Sequence, residues 1–144
     1  MVLNDIFYIE DIGQMQNFAK KLSQDLKAPL IIFLKGDLGS GKTTLTRFIL
    51  QELGYNGKVK SPTYTLIETY EFNNFIINHL DLYRITDPEE VLFLGLEDIM
   101  NAKTITFIEW PQKATEFLPL PDIIIEIISD KNNNSRQIKL SSKI

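Results

Sequence analysis

Apolar and polar positions along the chain alternate between two periods, and that change of period predicts its elements. Ile6–Ile9 is a short apolar run and reads as a first strand. From Ile12 to Leu26 the apolar residues are Ile12, Met15, Phe18, Ala19, Leu22 and Leu26, a helical spacing with a polar opposite face. Lys27-Ala28-Pro29 ends that helix, because a residue before proline is pushed toward extended geometry. Leu30–Leu34 is continuously apolar, as in a central strand covered on both faces. A glycine-rich segment follows. Then Leu45, Phe48, Ile49 and Leu53 mark one face of a helix over 43–53, with Gly54 as its stop.

The middle of the chain changes character. Asn56-Gly57-Lys58 is a turn and Ser61-Pro62 a second break. Thr63–Tyr70 and Phe75–Tyr83 are β-prone and are joined at Asn73-Asn74, which predicts a hairpin. A hairpin there departs from a plain succession of βα units. Asp87-Pro88-Glu89-Glu90 is a helix start, with a cap, a proline at the first position and acids near the positive helix end. The helix is expected over Val91–Ile99, interrupted or ended near Gly95. Thr104–Ile108 is another buried strand, closed by Glu109 and broken by Trp110-Pro111. Lys113–Phe117 holds about one helical turn. Asp122–Ile128 and Gln137–Leu140 are strands joined by the polar turn at 130–134. The predicted fold is one α/β domain over residues 1–144, a P-loop NTPase-like three-layer arrangement with a mostly parallel central sheet extended by antiparallel strands.

The glycine-rich segment adds chemistry to this outline. Residues 36–43 read Gly-Asp-Leu-Gly-Ser-Gly-Lys-Thr, directly behind an apolar strand and before a helix. That is the Gly-x-x-x-x-Gly-Lys-[Ser/Thr] pattern in the setting it requires. Backbone N–H groups of such a loop wrap a phosphate chain, and the following helix adds a field that favours anions. Lys42 reaches the β- and γ-phosphates, and the Thr43 hydroxyl is a Mg²⁺ ligand candidate. Gly36, Asp37, Leu38, Gly39, Ser40, Gly41, Lys42, Thr43 and Thr44 are therefore the candidate nucleotide-binding positions.

Two carboxylates are placed to work with this loop. Glu109 ends a strand expected beside the loop strand, where a carboxylate holds Mg²⁺ directly or through water; the plainer reading is a surface glutamate. Asp81 lies in His79-Leu80-Asp81-Leu82-Tyr83-Arg84, whose alternation puts Leu80 and Leu82 in the core and His79, Asp81 and Tyr83 on an exposed face. Asp81 is a candidate for binding Mg²⁺-bound water or positioning the attacking water. His79 is the only histidine, has no cysteine beside which to build a zinc site, and is weighted toward a structural role. Arg84 is a candidate for γ-phosphate charge or for a partner contact. Trp110 either shapes the site or covers the sheet edge. Ser61-Pro62-Thr63 is either a switch-like loop over the γ-phosphate, with Thr63 or Thr65 sensing it, or an ordinary turn. No Asn-Lys-x-Asp guanine motif is present, which favours ATP. Arg136 is a candidate neighbour of the adenine or sugar, against the plainer reading of a turn arginine.

Composition narrows what such a site serves. With 144 residues and a net charge of −4, the chain has three scattered arginines, Arg47, Arg84 and Arg136, and no basic stripe of the kind nucleic-acid binding needs. It lacks cysteine, any membrane-length apolar stretch and a basic N-terminal leader, so a cytoplasmic protein is expected. Little chain remains for an acceptor domain or an arginine-rich lid, which weakens the alternative of a small-molecule kinase. Intact Asp81 and Glu109 weaken the other alternative, a non-catalytic nucleotide-dependent scaffold.

Four blocks in this order, 36–44, Ser-Pro-Thr-Tyr-Thr-Leu at 61–66, His-Leu-Asp-Leu-Tyr-Arg at 79–84 and Glu-Trp-Pro at 109–111, resemble the bacterial TsaE (YjeE) family. The likeness runs from about residue 9 to the C-terminal strands, and Ser40, often alanine in the family, leaves the motif intact. The resemblance implies a small Mg²⁺-dependent P-loop ATPase of tRNA threonylcarbamoyladenosine biosynthesis. It implies that Thr43 is the Mg²⁺ hydroxyl ligand, Glu109 the metal-associated carboxylate, Lys42 the phosphate lysine and Asp81 the aspartate needed for hydrolysis. It also implies switch-like segments at 61–63 and 81–84. The implied partners are the TsaD and TsaB proteins, which modify adenosine 37 of tRNAs reading codons that begin with adenine. The ATPase, slow alone, is activated on that pair and supports its turnover or resetting, with tRNA met indirectly through the complex.

Overall fold

The computed structural model describes residues 3–143; Met1-Val2, part of the leader reading, lie outside the described residues. The apolar run expected at 30–34 forms β2 (Leu30–Lys35), and it takes the centre of a seven-stranded sheet. The other strands are β1 (Leu3–Ile9), β3 (Ile67–Glu71), β4 (Ile76–Asp81), β5 (Thr104–Glu109), β6 (Ile123–Ser129) and β7 (Arg136–Ser142). Their order is β1-β7-β6-β2-β5-β4-β3. The inner strands β6, β2, β5 and β4 run parallel, and antiparallel pairs extend the sheet at both edges, β6–β7–β1 on one side and β4–β3 on the other. This is the architecture expected from the sequence.

Alternation along β2 divides the core. Ile32 and Leu34 point to the face covered by α1 (Ile12–Ser23) and α2 (Lys42–Glu52), where they meet Phe18, Ala19, Leu22, Leu45, Phe48 and Ile49. Phe33 points the other way, to Leu80, Leu82, Val91, Ile108 and Ala114. Each fully buried side chain of this kind contributes about 1.5–3 kcal/mol of hydrophobic stabilisation. α1 begins where Asp11 caps it, its side chain accepting from Gln14 N at 2.8 Å. The second face is covered by short turns of helix: a 3₁₀ segment at Pro88–Phe93, α3 (Leu96–Ile99), and 3₁₀ turns at Pro111–Lys113 and Thr115–Phe117.

Two expectations are corrected, and the break expected near Gly95 is present. The strand expected from Thr63 begins only at Ile67, because Leu66 N turns back to Pro62 O at 2.8 Å and Leu66 takes a φ of 70°. The helix over Val91–Ile99 is interrupted at Gly95 as expected: its φ of 69° ends the capped 3₁₀ segment and starts α3. The face carrying His79 and Asp81 is not exposed: His79 is 0% and Asp81 5% accessible. β4 lies between β3 and β5, and its odd-numbered face belongs to the helix-covered side of the sheet, with Ile77.

Candidate functional site

The site sits at the carboxyl ends of β2, β5 and β4, where parallel strands all deliver their last residues to one edge of the sheet. Register does the placing. Leu34 of β2 pairs with Glu109 of β5, and Glu109 pairs with Asp81 of β4. Two carboxylates from distant parts of the chain therefore stand side by side next to the loop that leaves β2.

That loop is shaped by its glycines. Gly36 has a φ of 150°, and a Cβ there would fall 2.6 Å from both Ile127 O and Ser40 Oγ. Gly41, at φ 113°, turns the chain into α2. The loop folds over its own lysine: Lys42 Nζ donates to Gly36 O and, at 3.1 Å, to Asp37 O. The Trp110 ring lies over the same ammonium, 4.3 Å from Nζ to centroid. Burial holds the Lys42 ammonium below the usual lysine range, and the charges of Glu109, Asp81 and Asp37 oppose that shift. Trp110 reaches this position because its φ of 57° and ψ of 47° reverse the chain directly after β5. It thus shapes the site.

The carboxylates are held in different ways. Glu109 Oε2 accepts from Thr43 Oγ1 at 3.0 Å and faces His79 Nε2 at 2.5 Å. Asp81 Oδ1 accepts from Tyr83 N at 2.9 Å, and Oδ2 from Thr63 Oγ1 at 3.3 Å. Burial pushes the Asp81 carboxyl above the usual aspartate range; Tyr83 N–H and the Thr63 hydroxyl work against that, while the Glu109 charge adds to it. Thr63 reaches Asp81 because residues 62–66 are a turn and not a strand.

Two cavities flank the loop. One, of about 280 Å³, is lined by Leu38, Gly39, Ser40, Gly41, Lys42, Thr43, Thr44, Thr63, Asp81, Glu109 and Trp110. The other, of about 370 Å³, lies across the loop, lined by Ile9, Glu10, Asp11, Ile12, Met15, Asn134 and Arg136 together with Gly39, Ser40, Gly41 and Thr44. The first has the polar groups that triphosphate chemistry requires. The second is apolar on its α1 side and is suited to a base and sugar.

Most candidates meet here. Gly36 and Asp37 line neither cavity; they hold Lys42 through their carbonyls. Arg136 is brought across 96 positions to donate from Nε to Ser40 O at 2.9 Å, so it braces the loop as well as lining the second cavity. Arg84 lies over the Tyr64 ring, 4.2 Å from its centroid, and lines neither cavity. The sequence reading missed the contribution of Ile9–Met15 to the site. Its one signal, Asp11, is spent on capping α1 and looks like nothing more than a helix start.

The donor set bears on the metal. Thr43, Glu109 and Asp81 offer hard oxygen atoms, which suit Mg²⁺. Among the described residues no group of three or more His, Cys, Asp or Glu side chains forms a metal cage. Mg²⁺ is typically held by one or two carboxylates completed by substrate phosphates and water, so these residues fit a nucleotide-bound ion. Among the described residues no helix is long and apolar enough to cross a membrane.

The chain is 45% identical over 138 residues to the tRNA threonylcarbamoyladenosine biosynthesis protein TsaE of Haemophilus influenzae, covering 92% of this chain and 86% of that one. It is 38% identical over 133 residues to the protein of the same description from Rickettsia felis, covering 90% and 77%. The crystal structure of Bacillus subtilis YdiB superposes with a TM-score of 0.81 at 26% identity, covering 99% of this chain and 87% of that one. The family model described as threonylcarbamoyl adenosine biosynthesis protein TsaE matches residues 9–138, and the chain belongs to the TsaE family.

Proposed function

We propose that this chain is a Mg²⁺-dependent ATP hydrolase that acts in formation of the threonylcarbamoyl group on adenosine 37 of tRNAs reading codons that begin with adenine. It works there as an ATP-driven switch on a TsaD–TsaB pair. The observation that carries the reading is the convergence of Lys42, Thr43, Asp81 and Glu109 on one cavity beside a second cavity of nucleoside size. Family membership supplies the process; the geometry supports the chemistry.

Each residue has a role that follows from its surroundings. The backbone of 39–43 and the Lys42 ammonium bind the phosphates. Lys42 has three N–H donors, so it can keep a loop carbonyl while turning another toward a phosphate oxygen. Thr43 and Glu109 hold Mg²⁺, which when bound neutralises phosphate charge and orients the terminal phosphoryl group. Asp81 orients the attacking water: burial raises its proton affinity, and two donors fix its plane. Thr63 connects the 61–63 loop to Asp81, so a change in that loop is felt where hydrolysis occurs. The base and sugar occupy the cavity between α1 and Arg136. The whole of 1–144 acts as one domain.

The test is reconstitution. Threonylcarbamoyl transfer to tRNA is followed over many turnovers with TsaD–TsaB, with and without this chain and ATP. Stimulation that requires both is expected. No stimulation would sink the proposal, and phosphorylated nucleoside or sugar formed faster than free phosphate would mark a kinase instead.

A further inference from the structure

His79 is singled out by the sequence and left without a task by the proposed chemistry. It is fully buried in β4, on the helix-covered face, opposite Phe107 of β5. Its Nε2 faces Glu109 Oε2 at 2.5 Å. The same oxygen accepts from Thr43 Oγ1 at 3.0 Å. Its other ring nitrogen, Nδ1, is buried and has no hydrogen-bond partner among the described residues.

That asymmetry separates a packing role from a chemical one. A leucine or phenylalanine would fill this interior position without burying an unpaired nitrogen. The imidazole offers one thing that those side chains lack, an N–H at the carboxylate. With one nitrogen facing a carboxylate and the other facing none, the proton is placed on Nε2. Two donors, from β4 and from α2, then converge on one oxygen of Glu109. A carboxylate held by two donors has its rotamer and its plane set before any ligand arrives.

We infer that His79 is a positioning residue, whose Nε2–H fixes the Glu109 carboxylate against Thr43 and so sets the geometry at which the site takes up Mg²⁺-nucleotide. The inference rests on the reading of Glu109 as the metal-side carboxylate. His79 itself lines neither cavity of the site.

Because the chain holds a single histidine, ¹⁵N-histidine labelling of the full chain gives one imidazole to observe by NMR. The expected spectrum has Nε2 protonated, with its proton displaced downfield by the carboxylate, and both signals move in Glu109→Gln. An unprotonated Nε2, or signals identical in Glu109→Gln, would overturn the inference. In hydrolysis assays with TsaD–TsaB, His79→Asn, whose amide lies near the Nδ1 position and falls short of Glu109, is expected to lower kcat about tenfold and to raise the half-saturating Mg²⁺ concentration. The KM for ATP should stay within about twofold. His79→Gln, whose amide nitrogen lies near the Nε2 position, should recover most of the lost kcat and the wild-type Mg²⁺ response. Equal behaviour of the Asn and Gln variants overturns the inference and leaves the reading of Glu109 intact. Wild-type hydrolysis in Glu109→Ala overturns both.

Discussion

At the scale of single residues, the site depends on groups taken out of water and then partnered unequally. Lys42 is bound by carbonyls and an aromatic face, and its proposed role is to meet phosphate with the charge that remains. Lys42→Ala is expected to weaken ATP binding by about 10–100-fold, the worth of a charged hydrogen bond, as read by calorimetric titration. Glu109→Ala should instead lower hydrolysis on the order of 100-fold, about 2.7 kcal/mol of barrier, with a smaller change in binding. A variant that binds poorly and hydrolyses normally once saturated would contradict the assignment.

Asp81 gives a prediction of opposite sign for stability and activity. Its folded pKa is raised by burial, so the native state holds the Asp81 proton more tightly than the unfolded chain does. The resulting penalty is present at pH values above the folded pKa and fades as pH falls through it. Asp81→Asn keeps an acceptor for Tyr83 N and removes the buried charge. It is expected to raise Tm by about 2–4 °C at pH 7 while abolishing hydrolysis. Thermal scans should show that gain shrinking in acid; a lower Tm at pH 7 would count against it.

At the scale of elements, the site is assembled by segments tied through individual side chains. The loop before Ser61 is tied to β3 by Tyr70, whose hydroxyl accepts from Lys60 N at 2.9 Å and donates to Lys60 O at 3.1 Å. Tyr70→Phe should cost about 1 kcal/mol at pH 7 in denaturant titration. Burial raises the Tyr70 pKa, so this contribution is full below the ordinary tyrosine range and is lost as pH rises through the folded pKa. The difference between wild type and variant should therefore narrow at alkaline pH. On the other side of the phosphate loop, Arg136 of β7 braces Ser40 O. Arg136→Ala is expected to raise the Kd for ATP about fivefold, and Arg136→Lys to recover only part, since lysine lacks the planar fork. An unchanged Kd would show that the loop needs no brace.

The same elements show how far pattern reading goes. The period of Ile12–Leu26 and the apolar run at Leu30–Leu34 describe a covered helix and a central strand, and both are present because local spacing and tertiary burial agree. Of the strand expected over Thr63–Tyr70, residues 67–70 are present and 63–66 fail, because β-prone side chains carry no information about the Leu66–Pro62 turn or the tie of Asp81 N to Leu66 O at 3.0 Å. The supposed exposed face of His79 and Asp81 fails for a related reason. Alternation distinguishes two faces of a strand, but which of them is covered depends on neighbours far along the chain.

At the scale of the whole molecule, the site draws on one sheet and on the helices and loops packed against it, so folding and nucleotide binding are linked. Thermal unfolding should be a single cooperative transition; two separated transitions would contradict one domain. A non-hydrolysable ATP analogue with Mg²⁺ at one hundred times its Kd should add about 2.7 kcal/mol of stability. The gain should depend on Lys42, which a parallel scan of Lys42→Ala would check.

The sequence by itself determined the phosphate-loop motif, the two candidate carboxylates and the family resemblance, because these rest on residue types at short spacing. It also determined the layered α/β class, because periodicity is local. Tertiary structure alone decided that β5 and β4 lie in register beside β2, so that Glu109 and Asp81 stand together at one edge. It alone gave His79 a partner, set Trp110 over Lys42 and carried Arg136 to Ser40. Those are long-range pairings. They are set by strand order and by the covering of both sheet faces, which no window of neighbouring residues contains.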